Sequence, residues 1–159
     1  MNFMSADRQG EFVDSNVLVY AHSRASAEKR DRASELLDRL WVSGGGSVSI
    51  QVLQEFFVIV TRKVPQPLSI GEASEIVEDY SRWAVYCPEP KDLSAAIDIH
   101  RRFRISFWDA MIIHSARRLN CRVLWTEDLS DGQSYAGVAV RHPFSNFVME
   151  DAEPYGGSP

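Results

Sequence analysis

The chain alternates short β-branched apolar runs with longer stretches of helical periodicity, and this alternation most constrains its fold. Phe12-Val13, followed by Val17-Leu18-Val19, reads as a buried strand and its exit. Residues 24–41 read as a helix carrying Ala33, Leu36, Leu37, Leu40 and Trp41 on one stripe, ended by Gly44-Gly45-Gly46. Residues 47–50 are a short strand, and residues 51–62 a helix that stops before Pro65. Ser69-Ile70-Gly71-Glu72 has the spacing of a capping box and opens a helix to about residue 83. Residues 85–87 form a strand stopped by Pro88, and Asp92 caps a helix to about residue 102. Ser106-x-x-Asp109 opens a further helix to about residue 119, and residues 122–125 and 138–140 are the last strands. Strands separated by helices predict a parallel sheet covered on both faces. Such sheets bind ligands beyond the carboxyl ends of their strands.

With 159 residues, 45% of them hydrophobic and 25% charged, the chain fits one globular domain. The expected division is a flexible N-terminus over 1–9, a folded unit over 10–148 and a disordered Gly- and Pro-containing tail over 149–159. The N-terminus lacks the apolar core of a signal peptide, and the longest apolar runs are far shorter than the ~20 residues of a membrane span. A cytoplasmic protein with no membrane partner is expected. Cys87 and Cys121 form no Cys-x-x-Cys pair and read as reduced thiols. Trp41, Trp83, Trp108 and Trp125 read as packing residues, with base stacking at a rim as the other use of Trp108. His22, His100, His114 and His142 show no paired metal spacing, and none is assigned to catalysis.

Four carboxylates stand apart from an ordinary solvated surface. Asp14 ends the first apolar strand; a turn or helix cap is its simplest role. Glu55 has Val52, Val58 and Ile59 as helical neighbours; a rim residue pairing with Arg62 is the plain alternative. Asp109 fits a capping box with Ser106, a role compatible with metal binding. Asp128 follows the last long apolar strand, with Glu127 and Asp131 as rivals for the same task. If the four converge, each like-charged pair ~4 Å apart repels by ~4 kcal/mol at an effective dielectric of about 20. Such a cluster must take up protons or bind cations. Carboxylate oxygens without His or Cys ligands suit Mg²⁺ or Mn²⁺, which activate water and neutralise charge on a phosphate. Phosphodiester hydrolysis follows, with Ser15, Asn16 and Thr126 as polar helpers.

Phe12-Val13-Asp14-Ser15-Asn16-Val17-Leu18-Val19-Tyr20-Ala21 resembles the opening motif of PIN domains. Gln54-Glu55-Phe56, Phe107-Trp108-Asp109-Ala110 and Thr126-Glu127-Asp128-Leu129 resemble the following acidic motifs in order. Gly132-Gln133 and Val140-Arg141-His142-Pro143-Phe144 are similar to one branch of the VapC-type toxins, so the likeness runs from about residue 11 to 147. The resemblance implies a single three-layer α/β/α sandwich with a short, mostly parallel sheet. It also implies a Mg²⁺- or Mn²⁺-dependent endoribonuclease, the toxin of a type II toxin–antitoxin pair. Asp14, Glu55, Asp109 and Asp128 would be the catalytic, metal-holding acids, with Ser15 and Thr126 beside them. The implied partners are an RNA substrate, a cognate antitoxin and a second copy of the chain. Ser15 stands where the family often has Thr. Among Glu127, Asp128 and Asp131, the Thr-x-Asp pattern favours Asp128. The alternative function is a non-catalytic PIN-like binding module with a vestigial acidic pocket. A DNA-directed or phosphatase activity of the same pocket is a third reading.

The net charge of −5, from 17 Lys and Arg against 22 Asp and Glu, does not advertise a nucleic-acid partner, so local patches must supply the attraction. Residues 98–122 hold six Arg against Asp98 and Asp109 (+4), and residues 22–32 hold four basic residues against two acids (+2). Arg101, Arg102 and Arg104, just before the Asp109 helix, are the favoured RNA contacts; ordinary solvated helix faces are the other reading.

Overall fold

Six strands align in the order β3-β2-β1-β4-β6-β5 in a computed structural model that describes residues 9–145. They are β1 (Glu11–Val13), β2 (Gly46–Ser49), β3 (Ala84–Tyr86), β4 (Val123–Trp125), β5 (Ser134–Tyr135) and β6 (Val138–Arg141). All neighbours pair in parallel except β5 with β6. The helices are α1 (Ser15–Ala21), α2 (Ala27–Ser43), α3 (Ile50–Arg62), α4 (Ile70–Tyr80), α5 (Pro90–Phe103) and α6 (Phe107–Arg118). α6 lies over β2, β4 and β6 with α5 packed against it, whereas α1 packs on α2 and α3, and α3 on α4. This is the expected three-layer α/β/α sandwich. The tail over 149–159, and all of the N-terminal segment except Gln9, lie outside the described residues.

Burial explains the layers. Phe12, Val13, Val48, Leu124 and Val140 from the sheet and Leu18, Leu40, Phe56 and Ile113 from the helices are fully buried in one apolar cluster. Ser69 and Ser106 cap where the sequence spacing places them, and Ser26 and Ser49 cap two further helices. Ser26, Ser49, Ser69 and Ser106 each accept a backbone N–H at the start of a helix, and Ser69 and Glu72 complete a capping box. Gly44 closes α2 in the left-handed conformation (φ 73°), its N–H bonded to the Leu40 carbonyl at 2.9 Å.

Three local expectations change. Val17-Leu18-Val19 is not the exit of a strand but the buried face of α1. Asp14, extended at φ −79° and ψ 161°, accepts the Ser15 N–H and starts the helix immediately after β1. Packing of that face on α2 and α3 overrides the β preference of its valines. Asp92 does not cap α5 from outside. It sits in the first turn and reaches back to the Glu89 N–H at 2.7 Å. The two-residue β5, whose Tyr135 is buried against the core, was not expected as a strand.

Candidate active site

The chain order of the sheet places the site. From β1 the sheet grows through β2 to β3 on one side and through β4 to β6 on the other. The crevice of a doubly wound sheet opens where the winding reverses, here between the carboxyl ends of β1 and β4. Val13 stands opposite Trp125 in the ladder, and the Asp14 N–H donates to the Trp125 carbonyl at 3.0 Å. Asp14 and Thr126 therefore leave the sheet side by side.

Asp14 is buried and held by neutral donors. Its Oδ1 accepts the Ser15 N–H (2.7 Å) and its Oδ2 accepts the Thr126 hydroxyl (2.8 Å). The Thr126 Oγ1 in turn accepts the Asp128 N–H (3.0 Å). The Asn16 amide donates to Asp128 Oδ2 (3.1 Å) and Thr126 Oγ1 (3.2 Å), while its carbonyl oxygen accepts the Glu127 N–H (3.4 Å). The loop after β4 is thus clamped to the first turn of α1. Asp109 arrives from the first turn of α6, its backbone N–H bonded to Ser106 Oγ at 3.0 Å. One carboxylate oxygen from each of Asp14, Asp109 and Asp128 lies within 4.8 Å of the others. Glu55, half-buried on α3, stands outside that trio but close enough for its charge to act on Asp14.

Burial pushes the Asp14 carboxyl up to about 7; the nearby charges of Asp128 and Glu55 add to this, against the lowering effect of its hydrogen bonds from Thr126 and Ser15. Burial likewise raises Glu55, with the charges of Asp128 and Asp109, and raises Asp109, with the charge of Asp128. The fold holds acids together against their repulsion. The donor set is all oxygen, at a spacing that a hydrated divalent cation can span, and it fits Mg²⁺ or Mn²⁺.

Among the three rival acids after β4, only Asp128 reaches the trio. Glu127 pairs with Lys29 Nζ at 3.3 Å, and Asp131 accepts the His142 N–H at 2.9 Å. Arg101, Arg102 and Arg104 are exposed at the end of α5 and in the turn leading to α6. Arg101 faces Asp98 (3.9 Å) and Arg102 lies over the Phe103 ring (4.9 Å), so their partners are these residues rather than the acids. The sequence reading overlooked Gln51. Its Nε2 donates to Glu55 Oε1 and to the Trp108 carbonyl, both at 3.3 Å, tying α3 to the start of α6. The signal was present, since a Gln four residues before a Glu on a helix is within reach of it.

The tryptophans divide. Trp125 donates to Glu11 (2.8 Å), and Trp41 and Trp83 stack together and with Tyr80. Trp108, expected to pack, is instead 64% exposed. His22 and His114 bond Tyr80 and Asp92 respectively. Both cysteines are free, Cys87 exposed and Cys121 buried.

A buried aspartate at the switch point of an α/β/α sandwich, joined there by two acids from other elements, defines a class of cation-seeking pockets. The chain belongs to the PIN domain family, whose sequence profile matches residues 12–130. Solved structures share its fold. A toxin–antitoxin complex from Klebsiella pneumoniae matches with TM-score 0.62 at 14% identity, covering 84% of this chain and 98% of that one. VapC20 from Mycobacterium tuberculosis, described as a sarcin-ricin loop cleaving toxin, matches with TM-score 0.56 at 19% identity, covering 82% and 99%. VapBC2 from Rickettsia felis, bound to a DNA fragment from its promoter, matches with TM-score 0.58 at 16% identity, covering 82% and 96%. None of the curated proteins matches the chain.

Proposed function

We propose that the chain is a Mg²⁺- or Mn²⁺-dependent endoribonuclease and the toxin of a type II toxin–antitoxin pair, acting in the cytoplasm as a homodimer restrained by a cognate antitoxin. The observation that carries the reading is the trio of Asp14, Asp109 and Asp128 oxygens within 4.8 Å at the switch point. Asp14, Asp109 and Asp128 would hold the ion, with Glu55 at its edge. The bound ion would supply activation of water and neutralisation of charge on the phosphodiester. The chain's own work is positioning. Thr126 and Ser15 fix both oxygens of Asp14, Asn16 and Thr126 fix Asp128, and Gln51 steadies Glu55. Membership of the PIN family and a fold shared with structures of toxins and a toxin–antitoxin complex support the pairing with an antitoxin.

The test is cleavage of RNA by the purified chain with Mg²⁺ or Mn²⁺. EDTA, Asp14→Asn and Asp109→Asn should each lower the rate by roughly 100-fold or more, the equivalent of several kcal/mol of lost transition-state stabilisation. Undiminished cleavage in EDTA, or by both variants, rejects the mechanism. DNA and small phosphoesters offered alongside RNA separate a ribonuclease from a broader phosphoesterase.

A further inference from the structure

We infer that the cavity walled by Ser23, beside the acid trio, is a nucleotide subsite. It takes one base next to the cleaved phosphodiester, with Lys63 on the adjoining phosphate, and the Glu127 carboxylate admits bases that carry an exocyclic amino group. This rests on the ribonuclease reading above and deepens it, from hydrolysis of RNA to the choice of where the RNA is cut. The cavity, of about 260 Å³, is walled by Asn16, Tyr20, Ser23, Ile59, Lys63 and Glu127 among others. Two of these residues belong to the clamp that holds the site. The Asn16 amide donates to Asp128 Oδ2, and Glu127, the neighbour of Asp128, bonds through its N–H to the Asn16 carbonyl oxygen. The cavity therefore adjoins the trio through side-chain contacts as well as through sequence. Its volume falls just short of the ~300–1,000 Å³ of sites for drug-sized ligands, which suits a single base.

Three groups of the wall are left unused by the fold. Ser23 is 4% exposed, yet its hydroxyl has no hydrogen-bond partner. Burying such a hydroxyl is unfavourable, so folding alone gives no reason for Ser over Ala here, whereas a polar group of a ligand in the cavity does. Lys63 is exposed, and among the described residues its Nζ makes no ion pair or hydrogen bond. It also lines the neighbouring cavity that Glu55 borders, so its charge stands between the Ser23 cavity and the acids, where a phosphate would need a cation. Glu127 is held as a carboxylate by Lys29, which bonds Oε2 at 3.3 Å, and its Oε1 accepts no bond among the described residues. An ionised carboxylate only accepts. The exocyclic amino groups of adenine, cytosine and guanine donate to such an oxygen, whereas uracil has none and sets a carbonyl oxygen on either side of its one N–H.

The experiment first maps the ends that the wild-type chain leaves in total cellular RNA with Mn²⁺. It then measures kcat/KM on a short synthetic RNA in which the bases on either side of the mapped cut are varied one at a time through A, C, G and U. At one of these positions uracil should cost the wild type about 10-fold against the best amino-bearing base. Glu127→Gln exchanges an acceptor for a group that both donates and accepts, and should shrink that factor to about 2-fold. Ala25→Trp fills the cavity from its exposed rim and should abolish the discrimination. Lys63→Ala should raise KM by a similar factor whichever base is present, as loss of a phosphate contact does. Ser23→Ala should raise KM for the best substrate about 3- to 10-fold while the melting temperature stays equal or rises. A merely structural serine would lower the melting temperature and leave KM alone, which overturns its part in the subsite. A wild type indifferent to uracil, or favouring it, at both positions overturns the inference while leaving the nuclease intact. So does discrimination that Glu127→Gln and Ala25→Trp leave unchanged. A wild-type chain that cuts no RNA overturns this inference together with the function beneath it.

Discussion

Asp14 does two jobs whose demands conflict. As the cap of α1 it must be buried at the end of β1, and as a carboxylate beside Asp128 and Glu55 it is penalised for being charged there. In the folded chain without metal it keeps its proton up to about pH 7, whereas unfolded it releases it near 3.8. A group whose pKa is raised by folding contributes stability in full below the unfolded value and loses it as pH rises through the folded one. The apo chain should therefore lose stability between about pH 4 and 7, by an amount on the order of 4 kcal/mol from this residue. Thermal unfolding across that window should show the loss, and Asp14→Asn should flatten it, apart from what Glu55 and Asp109 add in the same direction. Saturating Mn²⁺ at pH 7.5 should raise the melting temperature of the wild type more than that of Asp14→Asn, because an ion that binds only the folded state stabilises it. A wild type whose melting temperature ignores both pH and Mn²⁺ would remove Asp14 from the ligand set.

At the scale of elements, the starts of α4 and α6 are legible in the sequence because a cap is local chemistry: a Ser three residues ahead of the N–H it accepts can be read from spacing alone. The same locality hid α1. Its Val17-Leu18-Val19 core has strand-like composition, and the Asp14 cap together with packing on α2 and α3 makes it a helix. Gly46 is a second such case. Its place in Gly44-Gly45-Gly46 marks only a helix terminator, yet a Cβ there would lie 2.6–2.7 Å from three carbons of the Trp83 ring. Gly46→Ala should cost about 1–3 kcal/mol by urea unfolding, and less in a Trp83→Ala background, the sign of direct contact between the two. Asp92 ties three elements. It accepts from the Glu89 N–H and the Tyr86 hydroxyl, both at 2.7 Å, and pairs with His114 at 2.7 Å. These bonds hold its carboxyl well below the usual range. Asp92→Ala should destabilise by about 3 kcal/mol in denaturant unfolding at neutral pH, since it strands the buried His114 imidazole on α6 and removes the acceptor of the Tyr86 hydroxyl and the Glu89 N–H. A change under 1 kcal/mol would show those groups satisfied by water instead.

For the whole molecule, what joins the site is topology rather than any local signal. Asp14, Glu55, Asp109 and Asp128 are each visible as an acid at an odd place in an apolar pattern, but Glu127 and Asp131, one and three residues from Asp128, are equally acidic. Side-chain direction separates them: Glu127 turns to Lys29 and Asp131 to the backbone of His142, and neither direction is written in composition. The charge balance poses the remaining question at this scale, because RNA must approach a molecule of net charge −5. If Arg101, Arg102 and Arg104 guide it, their loss changes the electrostatic part of binding and leaves the acids untouched. For single strands each phosphate contact adds about 0.7 to the slope of log affinity against log salt. The triple Ala variant should therefore bind RNA with a slope shallower by about 2, and retain wild-type kcat at saturating RNA. Fluorescence anisotropy with a labelled single-stranded RNA between low and moderate salt measures this, with Ca²⁺ in place of Mn²⁺ to suppress cutting. An unchanged slope would make the three arginines ordinary solvated residues, and would move the search for the RNA path to Lys29 and Arg30 on α2, where Lys29 pairs with Glu127 beside Asp128.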